Sequence, residues 1–166
     1  MPPRGFTLLE IMVVMVLIGI LTSLAVLSIG GGPRNRLAEE GRRLAAIVEL
    51  QQQEAILSGQ LRGIQFDRNG YTILSLDEQG AWRSPDATNA LIRHQLPEDI
   101  ALGLWVEDRS VRLEKPDFPQ VLLLSSGEAT EFIAVFSLAR DSSPDAPLYR
   151  IASDAMGRLT AGETVR

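Results

Sequence analysis

From Phe6 to Ile29 the chain is apolar throughout, without a Lys, Arg, Asp, His or Pro, and Glu10 is the only ionisable side chain in the run. At about 1.5 Å per residue a helix of this length reaches about 36 Å, more than the roughly 30 Å hydrocarbon core of a bilayer. Gly30-Gly31-Gly32-Pro33 then interrupts the pattern. Three glycines lack side-chain restraint and a proline cannot continue a hydrogen-bonded helix, so a break or bend is predicted over residues 30–33. Pro33 itself suits the first position of a second helix. From Arg34 to Leu57 the apolar residues Leu37, Leu44, Ile47, Val48 and Ala55 recur at about 3.6-residue spacing, and Arg36, Glu39, Arg43, Glu49, Gln52 and Gln53 fall mostly elsewhere. This spacing predicts an amphipathic helix that Ser58-Gly59 stops, its stripe packed on the rest of the domain. Gln51-Gln52-Gln53 is too short for a low-complexity segment and carries no assigned role.

Beyond Gly59 the periodicity shortens to two. Ile64 and Phe66 alternate with polar residues up to Asn69-Gly70, a strong hairpin signal, and Tyr71, Ile73 and Leu74 begin the return strand. A turn at Asp77-Glu78-Gln79-Gly80 precedes Trp82, and residues 84–89 read as a loop or short helical turn. Further strands are predicted at Leu91–Leu96, Ile100–Val106, Gln120–Leu124, Thr130–Leu138, Leu148–Ala152 and Arg158–Thr160, with Gly127, residues 141–147 and residues 154–157 between them. A long helix followed by seven or eight short strands is an α+β fold with mostly antiparallel sheet. Residues 34–166 are expected to form one domain with a core sufficient to fold independently, after an N-terminal helix over residues 6–29.

Composition narrows the possible functions. The chain holds 16 Lys and Arg against 21 Asp and Glu, a net charge of −5, which disfavours a nucleic-acid binder. It has no cysteine, so stability rests on the core and on hydrogen bonds. Three readings compete for the apolar run: a membrane anchor, a secretory signal peptide and a buried helix. A signal peptide accounts for the short start with Arg4, but the run continues past the loose cleavage match at Ser23-Leu24-Ala25. A buried helix is rarely apolar on every face. A carboxylate in such a run costs on the order of a few kcal/mol, which marks Glu10 as functional.

Catalysis finds little support. His94, the sole histidine, sits among strand residues and reads as a strand-borne or surface group. No phosphate loop, nucleophile constellation or metal-ligand spacing is present, and no cofactor is expected. Asp67, Asp77 and Glu78 lie in predicted turns, where carboxylates serve local hydrogen bonds. Asp141-Ser142-Ser143-Pro144-Asp145 offers two carboxylates, a poor cage for a calcium ion that takes six to eight oxygens.

The hexapeptide Gly5-Phe6-Thr7-Leu8-Leu9-Glu10 resembles the processing site of type IV pilins and type II secretion pseudopilins. The resemblance implies a leader of residues 1–5 cut after Gly5 by a prepilin peptidase, methylation of the new N-terminal Phe6, and a role for Glu10 in filament assembly. Once Gly5 is gone, Phe6 carries a free amine one helical turn from Glu10, so the carboxylate has a partner in its own amine or in a neighbouring subunit's. The resemblance favours the neighbour's. It also extends along the chain. Leu44–Ser58 with Gly59, then Ile64-Gln65-Phe66, Tyr71 and Trp82, and finally Ser126–Thr130 and Tyr149–Leu159 are similar to the minor pseudopilin H family of type II secretion. That family implies a pilin-like fold, an inner-membrane anchor with a periplasmic domain, and a place at or near the tip of a pseudopilus. Implied partners are the other minor pseudopilins, the major pseudopilin, the peptidase and the inner-membrane assembly platform. A minor pilin of a type IV pilus, serving priming, adhesion or DNA uptake, is the alternative.

Overall fold

The computed structural model describes residues 8–28, 32–85, 91–114 and 116–165. The chain divides into two compact units, Met1–Gly32 and Pro33–Arg166. The first contains helix α1, Leu8–Ser28. Gly5, Phe6, the Gly30-Gly31 half of the predicted break and most of the 84–89 loop lie outside the described residues.

The second unit opens on α2, Pro33–Ser58, with the proline at its first position, where a missing N–H costs nothing. Gly59 follows with φ 70°, the left-handed residue that terminates a helix with least strain. The expected stripe is buried: Leu37, Leu44, Ile47, Val48 and Ala55 are all 3% exposed or less. At about 1.5–3 kcal/mol for each fully buried Leu, Ile or Val, this face holds the helix in place. Two polar residues share it, which the spacing did not anticipate: Glu40 and Gln51.

Ten strands follow among the described residues: β1 Arg62–Asp67, β2 Gly70–Leu76, β3 Trp82–Arg83, β4 Arg93–Gln95, β5 Ile100–Val106, β6 Arg109–Ser110, β7 Val121–Leu123, β8 Phe132–Leu138, β9 Pro147–Ser153 and β10 Leu159–Val165. They form two antiparallel sheets. One has the order β3-β2-β1-β7, with β4 also paired to β2. The other has the order β10-β9-β8-β5-β6. The Asn69-Gly70 hairpin is present, its register pairing Phe66 with Tyr71 and Ile64 with Ile73. Asp67 Oδ1 accepts from the Asn69 amide at 2.7 Å, and Asp77 Oδ1 accepts from the Gln79 and Ala81 amides at 3.0 and 2.7 Å. Both aspartates therefore do the turn-closing work expected of them.

Three strand assignments need correction. The Leu91–Leu96 strand is confined to β4, because residues 91–92 form a turn. β6 was not foreseen: the β5–β6 turn uses Glu107 and Asp108 at φ 48° and 63°, without the glycine or asparagine that normally marks a two-residue hairpin. β10 runs to Val165 rather than stopping at Thr160. Its continuation, Ala161-Gly162-Glu163-Thr164, is exposed and so lacks the apolar alternation that betrays a half-buried strand.

The core lies between α2 and the two sheets. Phe66 joins the sheets, its ring centroid 6.0 Å from Tyr71 and 6.2 Å from Phe132, within the range of favourable aromatic contact. α2 packs across β8, β9 and β10 and touches β1 and β7. The helix can approach β9 closely because Gly41 has no side chain: a Cβ there would lie 2.1 Å from Tyr149 Cδ1.

The fragment from Pro33 onward should therefore melt cooperatively on its own. Within it, Gly41→Ala should lower the stability by about 1–3 kcal/mol, because either the Tyr149 ring or the helix must shift. Thermal and urea unfolding followed by near-ultraviolet circular dichroism would measure both, and an unchanged midpoint would mean that the ring yields freely.

Candidate assembly site

α1 contains no proline and is built mainly of Leu, Ile, Val and Met, with Gly19 its weakest helix former. Its described side chains, Leu8 to Ser23, are all exposed, among them Leu8 at 80% and Met15 at 66%. An all-apolar helix of this kind is stable only inside a larger apolar environment. Thr22 has already turned its polarity inward, its Oγ1 donating to the Ile18 carbonyl at 2.7 Å. Among the described residues no helix is long and apolar enough to cross a membrane. The described side chains of α1 end at Ser23, whereas the apolar run of the sequence continues to Ile29.

Glu10 stands in the first turn of α1. There the helix dipole presents its positive end, which favours a carboxylate. Of the three residues singled out in the sequence, only Glu10 is described; Gly5 and Phe6 are not.

The second unit contains a polar inclusion that sequence reasoning missed. Glu40 on α2 and His94 on β4 meet at 2.6 Å between Oε2 and Nε2, with side chains only 12% and 13% exposed. His94 is strand-borne, as expected, but its function is to bind β4 to the helix. The only available signal was that Glu40 lies three residues after Leu37 and four before Leu44, within the apolar stripe. The ring of Tyr71 lies 5.2 Å from the imidazole. Burial pushes the Tyr71 phenol well above its ordinary range, the Glu40 carboxylate adds to this and Arg43 opposes it. Tyr71 Oη has no hydrogen-bond partner among the described residues. No nucleophile joins this group, so its chemistry is that of a structural clasp.

Two of the three consecutive glutamines also have functions. Gln51 Oε1 accepts from Arg62 Nη1 at 2.7 Å, and Gln52 Nε2 donates to the Gly127 carbonyl at 2.6 Å. The first ties α2 to β1 just beyond it, and the second ties it to a turn 75 positions further along the chain. At the acidic loop, Asp141 Oδ1 accepts from the Ser143 amide at 3.0 Å and the Ser143 hydroxyl at 2.6 Å. Among the described residues no group of three or more His, Asp or Glu is arranged to hold a metal ion.

The family description "Prokaryotic N-terminal methylation motif" matches residues 2–26. Type II secretion system protein H of Pseudomonas aeruginosa is 39% identical, over 98% of this chain and 97% of the relative. The protein of the same name from Escherichia coli K12 is 32% identical, over 97% of this chain and 96% of the relative. The crystal structure of the minor pseudopilin EpsH from the type II secretion system of Vibrio cholerae has the same fold, with a TM-score of 0.64 at 22% identity, covering 78% of this chain and 95% of that one.

Two measurements test the clasp. His94→Ala should reduce stability by about 3 kcal/mol, because it leaves a buried carboxylate without its partner, and adding Glu40→Gln should recover part of the loss. Tyr71 has a folded pKa above its unfolded value, so its contribution is intact below the ordinary pKa of 10.0 and is lost as pH rises beyond it. Wild-type protein should therefore lose stability above about pH 10, and Tyr71→Phe should flatten that decline. Chemical denaturation at pH 7 and at stepped alkaline pH would read both effects; parallel alkaline slopes for the two proteins would refute the second.

Proposed function

The chain belongs to the type II secretion system protein H family, and from that premise we propose that it is a minor pseudopilin, a structural subunit of the periplasmic pseudopilus that drives export of folded proteins. The observation that carries this reading is α1, apolar on every described face, with one carboxylate in its first turn, under a methylation motif. A prepilin peptidase removes residues 1–5 by cutting after Gly5, and the new terminus at Phe6 is methylated. Residues 6–29 first anchor the subunit in the inner membrane, with residues 34–166 in the periplasm, and then become the assembly helix of the filament. Residues 30–33 form the joint between them.

The physics of Glu10 supports this order of events. In lipid its charge costs on the order of a few kcal/mol unless it is neutralised. Four residues separate it from Phe6, one helical turn on the same face. A neighbour's Phe6 amine neutralises it and sets the axial step between helices. The subunit stands at or near the filament tip, with the other minor pseudopilins and the major pseudopilin as neighbours and the inner-membrane platform as the assembling machine. Its function is structural, and it carries no catalytic step. Membership of the H family favours this reading over that of a type IV pilus minor pilin.

Intact mass of the mature chain should equal the loss of Met1–Gly5 plus one methyl group, and Gly5→Leu should leave the precursor in the membrane. Glu10→Gln keeps size and hydrogen bonding while removing the charge. It should insert as well as wild type yet copurify with the other pseudopilins about tenfold less, as the loss of about 1.4 kcal/mol would give. A mature terminus near Val26 would revive the signal-peptide reading. Normal copurification and secretion by Glu10→Gln would remove the assembly role from this carboxylate.

A further inference from the structure

Among the described residues the strand edges are guarded, with one exception. β3, β4 and β6 are only two or three residues long. The outer side of β7 is closed by the Leu123–Ala129 bridge and by the bond from the Thr130 amide to the Leu122 carbonyl. β5 is covered at both ends, the Ile100 amide donating to the Pro97 carbonyl and the Val111 amide to the Leu104 carbonyl. β10 differs: it is seven residues long and ends its sheet, with no described strand beyond it. Apart from Glu163 it has no charged residue, it has no Pro, and its register with β9 runs unbroken from Leu159↔Ser153 to Val165↔Pro147, without a bulge. These are the devices that normally protect an edge.

The direction of its free hydrogen bonds follows from the ladder. The Asp154 amide donates to the Arg158 carbonyl, so residue 158 bonds inward toward β9. By strand alternation residues 160, 162 and 164 also bond inward, whereas Leu159, Ala161 and Glu163 turn their N–H and C=O groups outward. Only an extended backbone satisfies such a row.

The sequence of β10 indicates which backbone. Leu159-Thr160-Ala161-Gly162-Glu163-Thr164-Val165 is nearly palindromic in side-chain character. Folded against a second copy about a two-fold axis at Gly162, Thr160 meets Thr164 and Ala161 meets Glu163. Threonine pairs with threonine, and no like charges stand opposite. The same register pairs outward residues with outward residues, as the hydrogen bonds require, and leaves Gly162 opposite its own copy at a non-hydrogen-bonded site. The helices also have room. α2 packs on β8, β9 and β10, so two copies of it over their respective β9 strands would lie three strand spacings apart. That is about 14 Å, beyond the 8–10 Å of packed helices.

We propose that β10 is a self-complementary interaction edge, through which a second copy of this chain joins by antiparallel β10–β10 pairing to form one continuous ten-stranded sheet. The pairing is isologous and closed, so it stops at two. It is independent of the Glu10 pairing and involves different residues.

The chain has no cysteine, which makes the register directly testable in the full-length protein in its membrane. Gly162→Cys places a thiol opposite its own copy at a Cα separation of about 4.5 Å, within disulfide range. A Cβ at Gly162 meets nothing within 4 Å, so the variant should fold. Oxidation with diamide should then give at least about tenfold more covalent homodimer than Gln79→Cys, an exposed turn position in the other sheet. Thr160→Lys with Thr164→Lys sets like charges opposite each other at two exposed sites and should abolish that crosslink. Thr160→Lys with Thr164→Glu sets opposite charges there and should restore it. Equal crosslinking at positions 162 and 79, indifference to the charge pattern, or capture of a different protein in preference to a second copy would each overturn the proposal. A secretion defect in Glu10→Gln with normal position-162 crosslinking would leave it standing.

Discussion

The approach of α2 to β9 at Gly41 is the contact on which the second unit depends. A side chain as small as a methyl group at this position would overlap the Tyr149 ring. Its absence lets the helix settle on the sheet. From that contact the buried stripe follows: Leu44, Ile47 and Val48 reach the core, one turn further Gln51 receives Arg62, and Gln52 holds the Gly127 turn. The same seating brings Glu40 within hydrogen-bond distance of His94, and so ties β4, a strand of only three residues, to the helix. Phe66 then closes the space between the two sheets against Tyr71 and Phe132. One glycine in a helix, usually a cost of about 1 kcal/mol relative to alanine, is here the condition for the packing.

The polar groups inside this core follow a consistent logic. A lone buried carboxylate is strongly unfavourable, and a paired one is tolerable. Glu40 is paired, Gln51 and Gln52 are bonded across the chain, and each partner lies on a different element from the helix. Such bonds add little net stability in water-exposed settings, about 1 kcal/mol each. Their larger effect is on specificity, since a shifted helix would leave them all unmade. The alternating apolar faces alone would accept several registers; these bonds accept one.

The first unit obeys the opposite rule. The described side chains of α1, Leu8 to Ser23, are exposed and nearly all apolar, so this helix needs an apolar environment that its own unit does not supply. The family to which the chain belongs is that of type II secretion system protein H.

Much of this was legible from the residues. The apolar run and its single carboxylate, the amphipathic helix from Pro33 to Ser58, the Asn69-Gly70 hairpin and the α+β class all follow from periodicity and turn chemistry, which are local properties of the chain. The hexapeptide from Gly5 to Glu10 was read by its resemblance to a known processing site rather than by periodicity, and residues 2–26 match a prokaryotic N-terminal methylation motif. What only the tertiary structure decided involves residues distant in sequence or strands without an inside. Glu40 and His94 are 54 positions apart, and neither residue type announces that it will be buried. β6 formed on a turn of two left-handed non-glycine residues, and β10 extended through exposed positions because its neighbour β9 offered a ladder rather than because its own side chains sought a core. Hydrophobic patterning reports where a chain meets its own interior; it carries no information about an edge, where backbone hydrogen bonding alone sets the conformation.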